Sequence, residues 1–267
     1  MIWAVQPDQV VIVRNLRCAM GAYAHSTERG ASLELGPAAA FSSGVDFGVF
    51  NALVLSDRVP SSRLAALLDE GAAFYRARNV AWSCWLDETM VDSAGGPEAA
   101  RHLESHGLRW IAEHEGMMAD PLRPHHRRGG PPAVDALPVA DAQTREDFIH
   151  VCSQVFLLPE TITRLIYGSA SFWSGALRGW VGYDGGRPVC TAVSAADQTS
   201  VGLYSVATMP GYRRRGYGEA ITRHAFGEAA ARSGLSRSIL QSTPAGLKLY
   251  RRMGYQARTR ITVWTSE

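Results

Sequence analysis

The stretch SVATMPGYRRRGYGEA, Ser205 to Ala220, limits the fold more than any other part of the chain. An apolar run with strand character ends at Pro210, and three arginines and two glycines lead from it into a helical pattern. A strand feeding a helix in this way leaves the first helical N–H groups without intrahelical partners, pointing into the loop. The helix dipole adds partial positive charge there, glycines let a ligand approach the backbone with no Cβ in the way, and Arg213, Arg214 and Arg215 add full charges. Such a turn binds an anion, and a diphosphate is the expected guest.

Neither standard nucleotide loop is present. A triphosphate loop needs Gly-Lys-Ser or Gly-Lys-Thr at the helix start, where this chain has Gly216-Tyr217-Gly218-Glu219. The dinucleotide fingerprint G-x-G-x-x-G also fails, because Ala220 and Ile221 follow Glu219 and the third glycine is missing.

A chain of 267 residues can form two medium domains or one large one. The segment DPLRPHHRRGGPPAVDALP, Asp120 to Pro138, is dense in Pro, Gly and charge, as an exposed connection would be. This gives domains at 1–120 and 134–267 joined by a linker at 121–133, and His125 and His126 read as solvated linker rather than metal ligands.

In the second half the pattern predicts a short strand and a helix with Phe148, Val151, Cys152 and Val155 on one face, then a short helix after Pro159. Asp184-Gly185-Gly186 and Ala196-Asp197-Gln198 divide the next stretch into a three-strand meander. A helix to Ser233-Gly234, the strand SRSILQS, a helix opened by Pro244 and closed by Gly254, and a last strand complete the order β-α-α-β-β-β-α-β-α-β. The first half echoes it: FGVFNALVLSD matches the third meander strand, SSRLAALLDEGAAFYRARNV the long helix, AWSCWLD the next strand, and Gly107-Leu108 answers Gly254-Tyr255.

The net charge of +2 and pI near 8.4 are too mild to demand a nucleic-acid partner, and the basic clusters are local, at Arg213–Arg215 and Arg127–Arg128. Arg14 and Arg17 interrupt the apolar patch near the N-terminus, and neither a leader layout nor a membrane-length apolar run is seen, so a cytoplasmic protein with no membrane partner is expected. Cys18, Cys84, Cys152 and Cys190 are scattered without paired spacing and read as buried free thiols, with neither disulfide nor metal.

Arg213, Gly216 and Gly218 satisfy R-x-x-G-x-G after a strand ending V-x-x-x-P, Val206 to Pro210, and LKLYRRMGY, Leu247 to Tyr255, carries L-Y-x-x-x-G-[FY] at the expected distance. Together these resemble the two signatures of the GCN5-related N-acetyltransferases (GNAT), well over about 134–264 and only as a worn copy in the first half. The resemblance implies an α/β (α+β) chain of two GNAT-like domains, each a mixed, mostly antiparallel sheet flanked by helices. It further implies an acetyl-CoA cleft between splayed strands of the second domain.

By the same resemblance, Val206, Ala207 and Thr208 line the pantetheine arm of acetyl-CoA, with an N–H near Val206 facing the thioester oxygen. The backbone from Arg214 through Gly216, Tyr217 and Gly218 to Glu219, helped by Arg213 and Arg215, takes the pyrophosphate. Tyr250 matches the family's general acid, and Thr243 stands where the family often has an asparagine. The implied reaction is N-acetylation of a primary amine, in a small molecule or at a peptide terminus, by a monomer or homodimer. Alternatives are a non-catalytic acyl-CoA module or an acyltransferase for longer chains.

No base is named: Glu160, Asp197 and His224 are open candidates. Phe156, Leu157, Phe172 and Trp173 lie where an acceptor pocket is expected, with core packing the equal alternative. The first-half turn Ser56-Asp57-Arg58-Val59-Pro60-Ser61-Ser62 lacks the glycines and carries an aspartate that repels phosphate, and Leu103 stands at the position of Tyr250, so this half is expected to be degenerate.

Overall fold

The computed structural model describes residues 7–92, 95–125, 132 and 134–266. His126, Arg127 and Arg128, singled out above, lie outside the described residues. In chain order the elements are α1 (Asp8–His25), β1 (Ala31–Glu34), β2 (Ala38–Ser42), β3 (Asn51–Leu55), α2 (Ser61–Arg76), β4 (Ser83–Asp87), α3 (Gly95–Ser105) and β5 (Arg109–Ala119). There follow β6 (Asp135–Pro138), α4 (Ala142–Phe156), α5 (Glu160–Tyr167), α6 (Ala170–Ser174), β7 (Leu177–Asp184), β8 (Arg187–Ala196), β9 (Val201–Thr208), α7 (Tyr217–Ser233), β10 (Ser238–Ser242), α8 (Leu247–Met253) and β11 (Gln256–Thr265).

The chain forms two compact units, and neither is one continuous half. One comprises Met1–Met117, Gln241–Ala245 and Ala257–Glu267; the other comprises Met118–Leu240 and Gly246–Gln256. The last strand, assigned by sequence to the 134–267 domain, thus belongs to the first unit's sheet.

That sheet runs β1-β2-β3-β4-β11-β5. β1, β2 and β3 pair antiparallel, β3 and β4 parallel, and β4 and β11 antiparallel from Ile261↔Asp87 to Thr265↔Ser83. The runs AAAFS and NALVL are buried at every position, as expected for strands covered on both faces. α2 packs through Leu64, Leu67, Leu68, Gly71, Phe74 and Tyr75, which recur at helical spacing. A Cβ on Gly71 would come within 2.5 Å of Leu53 Cδ1, so a larger residue here would displace the Leu53 side chain between the helix and β3. The N-terminal apolar patch is the helix α1; Arg14 interrupts nothing because it sits with Cys18 on the exposed face. This corrects the expectation that all four cysteines are buried.

In the second unit the order is β10-β9-β8-β7-β6, with β6 to β9 antiparallel and β10 parallel to β9. A Cβ on Gly182 would meet Ile221 of α7, whereas one on Gly179 would meet Trp173 of α6. Odd and even positions of a strand face opposite sides, so α7 covers one face of the sheet and α6 the other. α4 shares the α6 face, since Cys152 approaches Thr191, which pairs with Val181. Asp141 and Thr144 form a capping box at its start. The helix α6 was not foreseen, and α8 begins at Leu247 rather than Pro244 because Pro244–Gly246 forms a turn. No helix among the described residues is long and apolar enough to cross a membrane.

Candidate functional site

β9 departs from a regular strand where the sequence places Val206. Thr191 pairs with Ala207 but Val193 with Tyr204, so β9 carries one extra residue, a bulge at Ser205-Val206, with Ser205 at φ 47. Beyond the bulge, Met209 N–H donates to Val189 O at 2.9 Å and Thr191 pairs with Ala207. Main-chain groups alternate between neighbours along a strand, so Ala207 faces β8 while Val206 and Thr208 present N–H and C=O to the opposite edge. β10 pairs with that edge only at Ser238↔Val201 and Ile239↔Gly202. From Leu203 onward the two strands part, and the edge carrying Val206 and Thr208 has no further ladder partner among the described residues.

β9 continues through a single 3-10 turn, Pro210–Tyr212, into the arginine loop. Arg214 at φ 67 and Gly216 at φ 99 take left-handed conformations that bend the chain into α7. Gly216 is the N-cap and offers no side chain to the helix, so the N–H groups of Tyr217, Gly218 and Glu219 remain for a ligand. Arg213, Arg214 and Arg215 are exposed; Arg213 Nε–H donates to Thr208 O at 3.2 Å, and the Arg215 guanidinium lies 5.3 Å from the centre of the Tyr212 ring. None of the three has an ion pair among the described residues.

Two ties hold the loop. The Tyr217 hydroxyl donates to Asp184 Oδ2 at 2.8 Å, and this bond, with burial, raises the phenol's pKa. Glu219 is ion-paired to Arg223 at 2.9 Å and lies 3.6 Å from His125, so its carboxylate is turned to neighbours while its N–H stays in the first helical turn. A Cβ on Gly218 would lie 3.3 Å from both Leu249 Cδ2 and Thr208 Oγ1, which brings the first turn of α7, the end of β9 and α8 into contact.

Tyr250, next to Leu249 on α8, is 8% exposed and packs edge-on against Tyr255, whose hydroxyl is 2.6 Å from Ser238 Oγ. Burial pushes the Tyr250 pKa up, so the phenol stays protonated at neutral pH and can act as a hydrogen-bond donor. The thiols of Cys84, Cys152 and Cys190 are pushed by burial up to about 12 and are not nucleophiles at neutral pH.

Two of the three candidate bases are engaged elsewhere. Glu160 pairs with Arg164 on the surface, and Asp197 accepts from the N–H groups of Thr199 and Ser200 in the turn at the opposite end of β9 from Val206. His224 lies against the Trp180 ring, and burial lowers its pKa. Phe172 and Trp173 form a buried cluster with Phe148 and Tyr167, so core packing accounts for them; Phe156 and Leu157 are exposed at 41% and 87%. Sequence reasoning missed Thr191, Ser205 and Asp184, none of which carries a motif. Among the described residues no cluster of three His, Cys, Asp or Glu side chains could hold a metal.

Residues 176–257 match the family model described as an acetyltransferase (GNAT) domain. No curated protein matches the chain. Among solved structures, a GCN5-related N-acetyltransferase from Kribbella flavida covers 96% of this chain and 95% of its own, at 18% identity and a TM-score of 0.68. A tandem GNAT protein from the clavulanic acid biosynthesis pathway covers 96% and 95%, at 10% identity and a TM-score of 0.55. A GCN5-related N-acetyltransferase from Sphaerobacter thermophilus covers 97% and 93%, at 17% identity and a TM-score of 0.53. At these identities the likeness is one of fold, and the fold extends over nearly the whole chain.

Proposed function

We propose that this chain, which carries a GNAT acetyltransferase domain, transfers the acetyl group of acetyl-CoA to a primary amine of a small molecule or a peptide terminus. The observation that carries the reading is the edge of β9 left open after Gly202, with Val206 and Thr208 main-chain groups facing outward, continuous with an uncapped, arginine-rich helix start. An amide-bearing arm can add to that edge as a strand would, and its diphosphate can reach the N–H groups of α7.

In the proposed reaction the neutral amine attacks the thioester carbon directly and forms a tetrahedral intermediate. The Val206 N–H donates to its oxyanion, a kind of interaction that strengthens as charge develops. Collapse breaks the C–S bond; the Tyr250 phenol donates to the departing thiolate, and the ammonium proton passes to solvent. Arg213, Arg214 and Arg215 neutralise the phosphates. The buried thiols suit a reducing compartment, and we place the reaction in the cytoplasm.

Calorimetric titration with acetyl-CoA, counting sites, followed by thiol release against a panel of amines, tests the reading. One site with amine-dependent release is expected. Binding without release for any amine favours the non-catalytic acyl-CoA module, and no binding overturns the reading from the arginines onward.

A further inference from the structure

Four residues other than glycine have positive φ among the described residues, and only Ser205 lies inside a strand. A left-handed serine costs about 1–2 kcal/mol, so neighbouring groups must hold it there. Two do. Thr191, fully buried on β8, donates its hydroxyl to Ser205 O at 2.9 Å, and the Tyr167 hydroxyl lies 3.3 Å from Ser205 Oγ.

The consequence lies in the peptide unit that follows. The C=O of Ser205 and the N–H of Val206 belong to one planar trans peptide and point in opposite directions. A hydroxyl that fixes the carbonyl therefore fixes the N–H, and it fixes it away from β8, towards the edge that β10 leaves. We propose that Thr191 is a positioning residue: it clamps the Ser205 carbonyl and so aims the Val206 N–H at the acyl oxygen. This rests on the acetyltransferase reading above. Thr191 touches neither substrate; it acts through the peptide it holds.

A merely structural Thr191 would affect folding or affinity, whereas a clamp affects the carbonyl's polarisation. The discriminating measurement is the infrared band of isotope-labelled acetyl-CoA bound to the full chain, with no acceptor present. In the native protein the thioester carbonyl band falls below that of free acetyl-CoA. In Thr191→Val, which removes the hydroxyl at nearly constant shape, the band moves back towards the free position while Kd holds within about twofold. Thr191→Ser keeps the native band. With any amine that supports turnover, Thr191→Val lowers kcat by roughly tenfold or more at little change in the KM for acetyl-CoA.

If Thr191→Val does not fold, Thr191→Cys, whose thiol is a weak donor of similar size, gives an intermediate band. An unchanged band in Thr191→Val overturns the clamp while leaving acetyl-CoA binding and the functional reading intact; an unshifted band in the native complex overturns the clamp together with the role given to the Val206 N–H, and leaves acetyl-CoA binding intact. Failure of the native chain to bind acetyl-CoA overturns both, and calorimetry reports that separately.

Discussion

Each unit contains the same succession of strand, turn, helix and parallel strand, and the two put it to opposite uses. In the second unit β9 is bulged, β10 leaves it after two paired positions, and the turn between them is glycine- and arginine-rich. In the first unit β3 pairs with β2 in unbroken register, and β3 and β4 stay paired from Ala52↔Ser83 to Val54↔Trp85. Further along, Val59 N–H donates to Met90 O at 2.8 Å and Asp92 N–H to Val59 O at 3.2 Å, so the segment after β4 fills the edge from within. The turn is also self-satisfied: Ser56 and Asp57 N–H groups donate to Pro37 O, and Asp57 pairs with Arg14. The shared topology does not make a cofactor site. On the reading proposed above, open main-chain groups at the Val206 edge and at the start of α7 do, and among the described residues the corresponding turn of the first unit has the N–H groups of Ser56, Asp57 and Val59 paired.

The largest effect that could break this contrast is a charge placed at the second residue of each helix. Gly218→Asp brings a Cβ into the 3.3 Å contacts with Leu249 and Thr208 and a negative charge to the proposed phosphate position. Like-charge juxtaposition costs several kcal/mol, so acetyl-CoA affinity should fall about 100-fold or more. Ser62→Asp, at the same place on α2, should leave affinity unchanged. Calorimetry on both variants reads the difference, and equal losses would mean that the first unit takes part in binding.

A smaller effect separates the two helices that follow. Tyr250→Phe removes a proton donor and should lower kcat by about 10- to 100-fold with acetyl-CoA KM unchanged. Leu103, fully buried at the corresponding place on α3, does packing alone: Leu103→Ala should cost about 2–5 kcal/mol in denaturant unfolding. Because burial raises the Tyr250 pKa above its ordinary value, the acid form persists as pH rises. The native kcat should show no fall from this group up to about pH 10.5, where an ordinary phenol would be mostly ionised. A decline centred at about pH 10 and absent from Tyr250→Phe would show that the phenol ionises normally.

The parts of this contrast that were legible in sequence are those carried by local chemistry. Glycine at 216 and 218, three adjacent arginines and an apolar strand before Pro210 announce an anion turn without any long-range information, and Asp57 with the missing glycines announces its loss. The run AAAFS gave no strand signal, because alanine is a poor strand former and its burial comes from α1 and α2 packing on it. Phe172 and Trp173 could not be sorted between pocket and core, since both uses ask for the same aromatic residues. Thr191 and Ser205 were invisible for a different reason: a positive φ in a strand and the hydroxyl that holds it are set by register between β8 and β9. The placement of β11 beside β4 is likewise a matter of distant pairing, and nothing in QARTRITVWT names its partner.

The smallest expected effect sharpens the comparison most. If charge alone had silenced the first unit, removing Asp57 would begin to restore an anion site there. If the closed edge is the cause, it would restore nothing. Asp57 and Arg14 are about half exposed and 3.1 Å apart, so Asp57→Ala should cost under about 1 kcal/mol of stability. The Val59 to Met90 and Asp92 to Val59 bonds stay in place, and the edge that an incoming arm would need remains occupied. Titration of Asp57→Ala with acetyl-CoA should therefore still count a single site with native affinity. A second, weaker site would show that the aspartate, rather than the filled edge, keeps the first unit silent.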